Sequence, residues 1–390
     1  MRQAFLVSLS VSKSGGKPSH SKIAFLAVIA FASIAFATLP AQSPVQSSWK
    51  LFRGDPQATG VAAGTLSEKP ELLWTFRVPG AGFESAVAIA GNVVYAGTSD
   101  GKLYAISLTS GKQLWQFAGQ LGFAAAPAVD GQHIYIGDVS GMFYCIDAKS
   151  GALQWKVDCD AEIDSSANFD GDHVLVGSQD GRLCCLDKAT GAQVWRFEAQ
   201  DQIRCFPTIL GKHCFVAGCD ENLHVIDLAT GQSDADVPLG GPTGCAPAVL
   251  GGIVYVGTES NEFVAIDPAA KKILWHYKNA VRPDAFRSCA AVTPEGIYVG
   301  GRDKLMHALD PHDGHLLWSF ATRKRIDGSP VVVGKRVFFG SADGKIYALD
   351  RTSGKELWQF TAGGAVNTSP AVAEDRLVIG NDAGNLYCFK

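Results

Sequence analysis

Eight positions about forty residues apart could line one site: Glu84, Ala124, Asp164, Arg204, Gly244, Arg287, Asp327 and Asn367. Each stands three residues before a slot that holds proline in five of the eight cases. Carboxylates, guanidiniums and an amide gathered in one ring would hold a ligand or a peptide through both signs of charge. The same residues could instead form a solvated rim whose charges pair with one another. Phe83, Phe123, Phe286 and Arg325 adjoin these positions and are expected at the same mouth.

Motifs for catalysis are absent. The chain has no Gly-x-Ser-x-Gly turn, no His-Glu-x-x-His, no phosphate loop and no dinucleotide fingerprint. No histidine pair stands near cysteines at zinc-ligand spacing. His224 and His307 fall in the slot of Tyr104, Tyr144, Tyr347 and Tyr387 and read as strand residues. No catalytic residue and no metal ligand is assigned. A formal net charge of −4, with no basic run, excludes nucleic acid as a partner.

The elements that must position the ring repeat. The phrase is clearest from Val337 to Phe360. An apolar strand ends in Gly340, an Asp343-Gly344 turn follows, a strand ends in Leu349-Asp350, and a second turn leads to a strand centred on Trp358. Asp-Gly between alternating strands marks a hairpin, because both turn residues must tolerate positive φ. The same glycine recurs at Gly97, Gly137, Gly177, Gly218, Gly257, Gly300, Gly340 and Gly380, at intervals of 39 to 43 residues. Eight repeats of four short strands predict an all-β chain, an eight-bladed β-propeller of four-stranded antiparallel blades.

The two ends of the repeat array are complementary. Residues 71–78 form a Trp strand with no hairpin before it, and the chain stops at Lys390 where the next Trp strand should begin. The N-terminal strand is therefore expected to pair with the C-terminal blade and close the ring, which leaves no bare edge there. The proline-bearing segments, such as Ala126-Pro127-Ala128-Val129, are placed innermost, where a missing N–H costs least. Trp74, Trp115, Trp155, Trp195, Trp275, Trp318 and Trp358 form a packing column between blades. The fourth repeat has Ala235 in that column with an Asp on each side, so its outer strand is expected to be short or absent.

Three segments divide the chain. Residues 1–41 have a basic lead and the apolar run 23–37, and read as a secretory signal or an uncleaved single-span anchor. Their removal takes away Arg2, Lys13, Lys17 and Lys22 and no acid, so the net charge of −4 becomes −8. Residues 42–70 read as a linker-like arm, pinned by Trp49 and Phe52. Residues 71–390 are the propeller. Export makes disulfides a question for the ten cysteines. Cys145, Cys185 and Cys388 stand where sister repeats have alanine and read as small buried hydrophobes. Cys205 and Cys245 share a slot in adjacent repeats and are the first pair to test.

The run Tyr347-Ala348-Leu349-Asp350-Arg351-Thr352-Ser353-Gly354-Lys355-Glu356-Leu357-Trp358 resembles the pyrroloquinoline-quinone-type propeller repeat. One branch of that family comprises quinoprotein dehydrogenases, which hold the quinone with Ca2+ under long roofing loops. That branch implies Glu84, Asp164 and Asn367 near the metal and Arg204 or Arg287 near the quinone carboxylates. The other branch is the BamB-like one, non-enzymatic scaffolds of the periplasm that bind envelope proteins or peptide segments. No interval here exceeds 43 residues, which leaves little loop for a roof. The dehydrogenases also carry adjacent bonded cysteines; Cys184-Cys185 is adjacent, but mid-strand neighbours point to opposite faces. The BamB-like branch is typically lipid-anchored at an N-terminal Cys, whereas no Cys precedes Cys145 here. The resemblance implies an exported monomeric scaffold of the periplasm or cell envelope, without cofactor; the mouth residues Glu84, Asp164, Arg204, Arg287, Asp327 and Asn367 are where it is expected to bind, the alternatives being a quinone-dependent oxidoreductase or a small-ligand or polysaccharide-binding propeller.

Overall fold

Each repeat becomes one sheet because four apolar runs are joined by turns too short to do anything but reverse the chain. A computed structural model describes residues 48–390. Among these the strands form eight antiparallel four-stranded sheets, two of them extended by a strand from the N-terminal arm. In the second blade, Ala128–Asp130 is innermost, His133–Gly137 and Met142–Asp147 follow, and Leu153–Asp158 is outermost. The middle two strands are buried on both faces, since each blade is sandwiched between two others, and so their sequences are apolar without alternation. The outer strands alternate instead, with Trp and Phe turned inward.

The ring closes as the sequence predicts. Leu72–Arg77 pairs antiparallel with Asn385–Phe389, from Leu72↔Phe389 to Arg77↔Asn385. The segment 1–41, read as signal or anchor, lies outside the described residues. No helix among the described residues is long and apolar enough to cross a membrane.

A recurring contact joins the blades. Six indoles donate Nε1–H to a carbonyl in the third turn of the next blade: Trp74 to Leu108, Trp115 to Ala148, Trp155 to Lys188, Trp195 to Leu228, Trp275 to Pro311 and Trp318 to Arg351, at 2.8 to 3.2 Å. Each ring lies flat on the glycine three residues further on, from Gly111 to Gly354. A Cβ there would come within 3.0 Å of the indole. These glycines also have positive φ, for example +75° at Gly191.

The fourth blade corrects one expectation. Its outer strand Ser233–Pro238 is full length and pairs in the register of its sisters, with Val225↔Ala235 and His224↔Asp236. Its acids are held in place: His224 binds Asp236 at 2.7 Å and Asp220 at 2.9 Å, and His213 binds Asp234 at 3.0 Å. The glycine on which an indole would lie is Lys271, at φ +54°, and its Nζ reaches the Asp234 carbonyl at 2.8 Å. Loss of the Trp is thus matched across the interface by loss of its glycine.

The arm is the larger surprise. Residues 48–62 run along the innermost strands. Ser48–Trp49 pairs with Ala88–Ala90, and Val61–Ala62 runs parallel to Val331–Val333. Between them Val129, Ile209, Val249, Val292 and Val332 donate their N–H to the carbonyls of Lys50, Pro56, Gln57, Thr59 and Gly60. Asn168 Nδ2 in the third blade also reaches Pro56 O, at 3.1 Å. The inner edges are therefore hydrogen-bonded rather than bare. The prolines stand one residue before these strands, not inside them. Trp49 is fully buried and Phe52 packs on Phe206 at 5.9 Å, so both do pin the arm.

Two outcomes are expected. Deleting residues 42–78 removes the arm and the closing strand together and should abolish the cooperative melting transition; a deletion variant that melts like the full chain would contradict this account of closure. Ala235→Trp alone should destabilise by collision with the Lys271 Cβ. Paired with Lys271→Gly it should raise stability by about 1–2 kcal/mol, the gain for half-burying a large side chain, read as a higher Tm.

Candidate functional site

The repeated glycine aims the mouth residues. No Cβ fits at Gly97, Gly257 or Gly380, because the Cβ of Phe123, Phe286 or Phe83 would lie within 3.0 Å of it; Ile163, Ile203, Ile326 and Val366 fill the same place at Gly137, Gly177, Gly300 and Gly340. The side chain that presses on the glycine immediately precedes a ring residue. Chain alternation then turns the ring residue toward the axis. Phe83, Phe123 and Phe286 are consequently buried, at 2%, 0% and 1% exposure, and do not line the mouth as their sequence position suggests.

All eight ring positions border one cavity of about 190 Å3 whose wall also includes Phe52 of the arm. A notch of about 200 Å3 continues it where Gly244 leaves a gap between Arg204 and Arg287. The charges are paired around the rim. Asp164 accepts from Gln179 Nε2 at 2.7 Å and Arg204 Nε at 3.3 Å. Asp327 accepts from Arg302 at 3.0 and 3.2 Å and from Arg325 at 2.6 Å. Arg287 donates to Glu259 at 2.9 Å. The Arg204 and Arg287 side chains remain 39% and 41% exposed. Asn367 Oδ1 and Ser85 Oγ are buried without a hydrogen-bond partner among the described residues.

Sequence reasoning missed the partners Gln179, Glu259 and Arg302. They stand two residues after the repeated glycines Gly177, Gly257 and Gly300. Their backbone N–H groups donate to the carbonyls of Glu162, Pro242 and Ala285, which fixes them as a second ring outside the first. Reading that column of the repeat would have found them. Cys205 and Cys245, the first pair to test, are not joined; all ten cysteines are free thiols. Cys205 Sγ accepts the Ala217 N–H at 3.3 Å in its own blade, whereas Cys245 Sγ faces Phe286 O at 3.1 Å in the next. Cys184 and Cys185 are unbonded and pack into different apolar clusters, on opposite faces of their strand.

Eight four-stranded wedges, shut by a shared strand and threaded by their own N-terminal arm, define an eight-bladed β-propeller with a charged hub mouth. The chain belongs to the family described as outer membrane protein assembly factor BamB, which matches residues 60–158, 139–234 and 281–390. No curated protein is similar to it in sequence. Among solved structures, BamB from Moraxella catarrhalis is 21% identical, with a TM-score of 0.71, over 82% of this chain and 97% of that one. Quinohemoprotein alcohol dehydrogenase from Comamonas testosteroni is 13% identical, with a TM-score of 0.74, over 90% and 81%. A europium-containing methanol dehydrogenase is 13% identical, with a TM-score of 0.73, over 88% and 98%. At these identities the structural likenesses carry the fold.

Glu84, Asp164 and Asn367, which the dehydrogenase branch implies for a metal, and Arg204 and Arg287, which it implies for the quinone, border the same cavity. Asp164 accepts from Arg204 and Gln179 there and Arg287 donates to Glu259, so a quinone and calcium would have to displace these pairs.

Proposed function

We propose that the protein is an exported, non-catalytic scaffold of the periplasm or cell envelope that binds protein segments at the hub mouth. The observation that carries this reading is the shape and wiring of the mouth. It presents Arg204 and Arg287 half exposed on either side of Gly244. Exposed pairs are held by about 1 kcal/mol or less. A partner's carboxylates can therefore take over the guanidiniums of Arg204 and Arg287, and its basic groups can take over Asp164 and Asp327. Glu84 and Asn367 extend the same surface across blades one and eight. Envelope proteins or peptide segments are the partners, one copy of the chain suffices, and residues 1–41 supply the export signal or an anchor. Membership of the BamB family supports the envelope setting.

Arg204→Glu combined with Arg287→Glu sets carboxylates against Asp164 and Glu259 and should destabilise the fold by only about 1 kcal/mol or less per site, as for exposed pairs. It should weaken partner capture by about 1–3 kcal/mol, roughly five- to 150-fold. The measurement is cross-linking of the mature chain in the envelope, followed by titration of the captured partner. Undiminished capture by the double variant would move the binding surface away from the mouth. Calorimetry with pyrroloquinoline quinone and Ca2+ should show no micromolar binding; binding accompanied by dye reduction would reverse the reading.

A further inference from the structure

Below the charged ring lies a second one, two residues along each repeat: Ala86, Ala126, Ser166, Phe206, Ala246, Cys289, Ser329 and Ser369. Here neighbouring blades are tied by an N–H donated to the next blade's side chain. Ala126 donates to Ser166 Oγ at 2.9 Å, Cys289 to Ser329 Oγ at 3.0 Å, and Ser329 to Ser369 Oγ at 2.9 Å. In the fifth blade the acceptor is sulfur: Ala246 N–H donates to Cys289 Sγ at 3.1 Å. A neutral thiol accepts weakly and a thiolate strongly.

The surroundings of Cys289 favour the thiolate. Beside the Ala246 N–H on its sulfur, Cys289 has Cys245 as its neighbour across the blade boundary, with Cys245 Sγ 3.1 Å from Phe286 O and 3.5 Å from Ser288 O. Arg53 of the arm lies close by, 1% exposed, with Nη2 on the carbonyls of Ala290 and Pro330. Its Nε and Nη1 have no hydrogen-bond partner among the described residues, so its charge is poorly answered. The Cys289 side chain first, then burial, push the Cys245 thiol the opposite way, well above its ordinary value. The neighbouring Cys245 thiol first, then the charge of Arg53, draws the Cys289 thiol below its ordinary value despite burial. Burial instead pushes Cys205 and Cys388 up to about 12 and Cys145 to about 11.

We infer that Cys289 and Cys245 form a dithiol site at the floor of the hub cavity, which reacts with low-molecular-weight disulfides entering through the mouth. Cys289, 6% exposed and on the cavity wall, is the attacking thiolate; Cys245, 1% exposed behind it, is the resolving thiol. Cys289 Sγ attacks one sulfur of the small disulfide, a mixed disulfide forms and the first small thiolate leaves. Cys245 gives its proton to that thiolate, attacks Cys289 Sγ and expels the second, which takes a proton from water. The protein gains one inter-blade disulfide, and the small disulfide is reduced to two thiols.

The test uses the full chain and hydroxyethyl disulfide at pH 7, with acid quenching and peptide mapping. Wild type should lose the mass of two hydrogens, carry no adduct and yield a Cys245–Cys289 linked peptide. Cys245→Ser should stop at a stable mixed disulfide on Cys289, and Cys289→Ser, which restores the hydroxyl of the sister blades, should do neither. Alkylation of native Cys289 by iodoacetamide should be half-maximal at a lower pH than that of an ordinary thiol. Mapping separates it from Cys184, whose thiol is also lowered by a neighbour, Cys159. Cys289 that reacts only after unfolding, or wild type that keeps a small-thiol adduct, would overturn the assignment.

Discussion

The ring stands on one contact: an indole lying on a glycine. Each blade alone buries only part of its two faces, so the fold exists only if neighbours adhere. The indole does this with a flat apolar face and one directed N–H, but only where the turn beneath lacks a Cβ and takes a positive φ. Tryptophan and glycine therefore act as a pair across the blade boundary. Neither residue has that value alone.

Two boundaries do without the pair, and each shows what a substitute requires. Between blades four and five, Lys271 fills the space over the turn and reaches back to Asp234 O, while His213 and His224 hold the acids that flank Ala235. Directed polar bonds have replaced a stacked ring there, and a groove lined by Leu210, Phe215 and Pro268 remains. At the last boundary, Trp358 has no following turn to lie on, because the third strand of blade eight ends the chain. It packs edge-on against Phe389 at 5.3 Å and stacks with Phe360 at 6.4 Å. An aromatic cluster does at the seam what the glycine does elsewhere.

The legible parts of the sequence were those imposed eight times over. The glycine column, the Trp column and the ring from Glu84 to Asn367 all record a spatial constraint that each repeat had to meet. The phenylalanines beside the ring were misplaced because sequence adjacency hides alternation: Phe123 and Ala124 are neighbours in the chain and point opposite ways. Cys145, Cys185 and Cys388 are the small buried residues they were read as, while the suggested pair failed for a related reason. A shared slot fixes where Cys205 and Cys245 sit, not which blade their sulfurs face. The pinning of the arm by Trp49 and Phe52 was legible, but its path was not, because most of its bonds to the inner strands are main-chain to main-chain and occur once. A Ser-, Gln-, Gly- and Pro-rich stretch looks like a tether whether it dangles or threads a hub.

That threading bears on the order of assembly. During synthesis residues 48–62 and 72–77 leave the ribosome before any of the strands they will bind. The acceptor of Val332 N–H waits through some 270 residues of chain, and Leu72 waits for Phe389, next to last. Ser48–Trp49 can pair with Ala88–Ala90 early, but Val61–Ala62 and Leu72–Arg77 cannot take their places until the seventh and eighth blades have been made. The ring is therefore locked late, by strands far apart in sequence, as expected of a fold rich in long-range contacts.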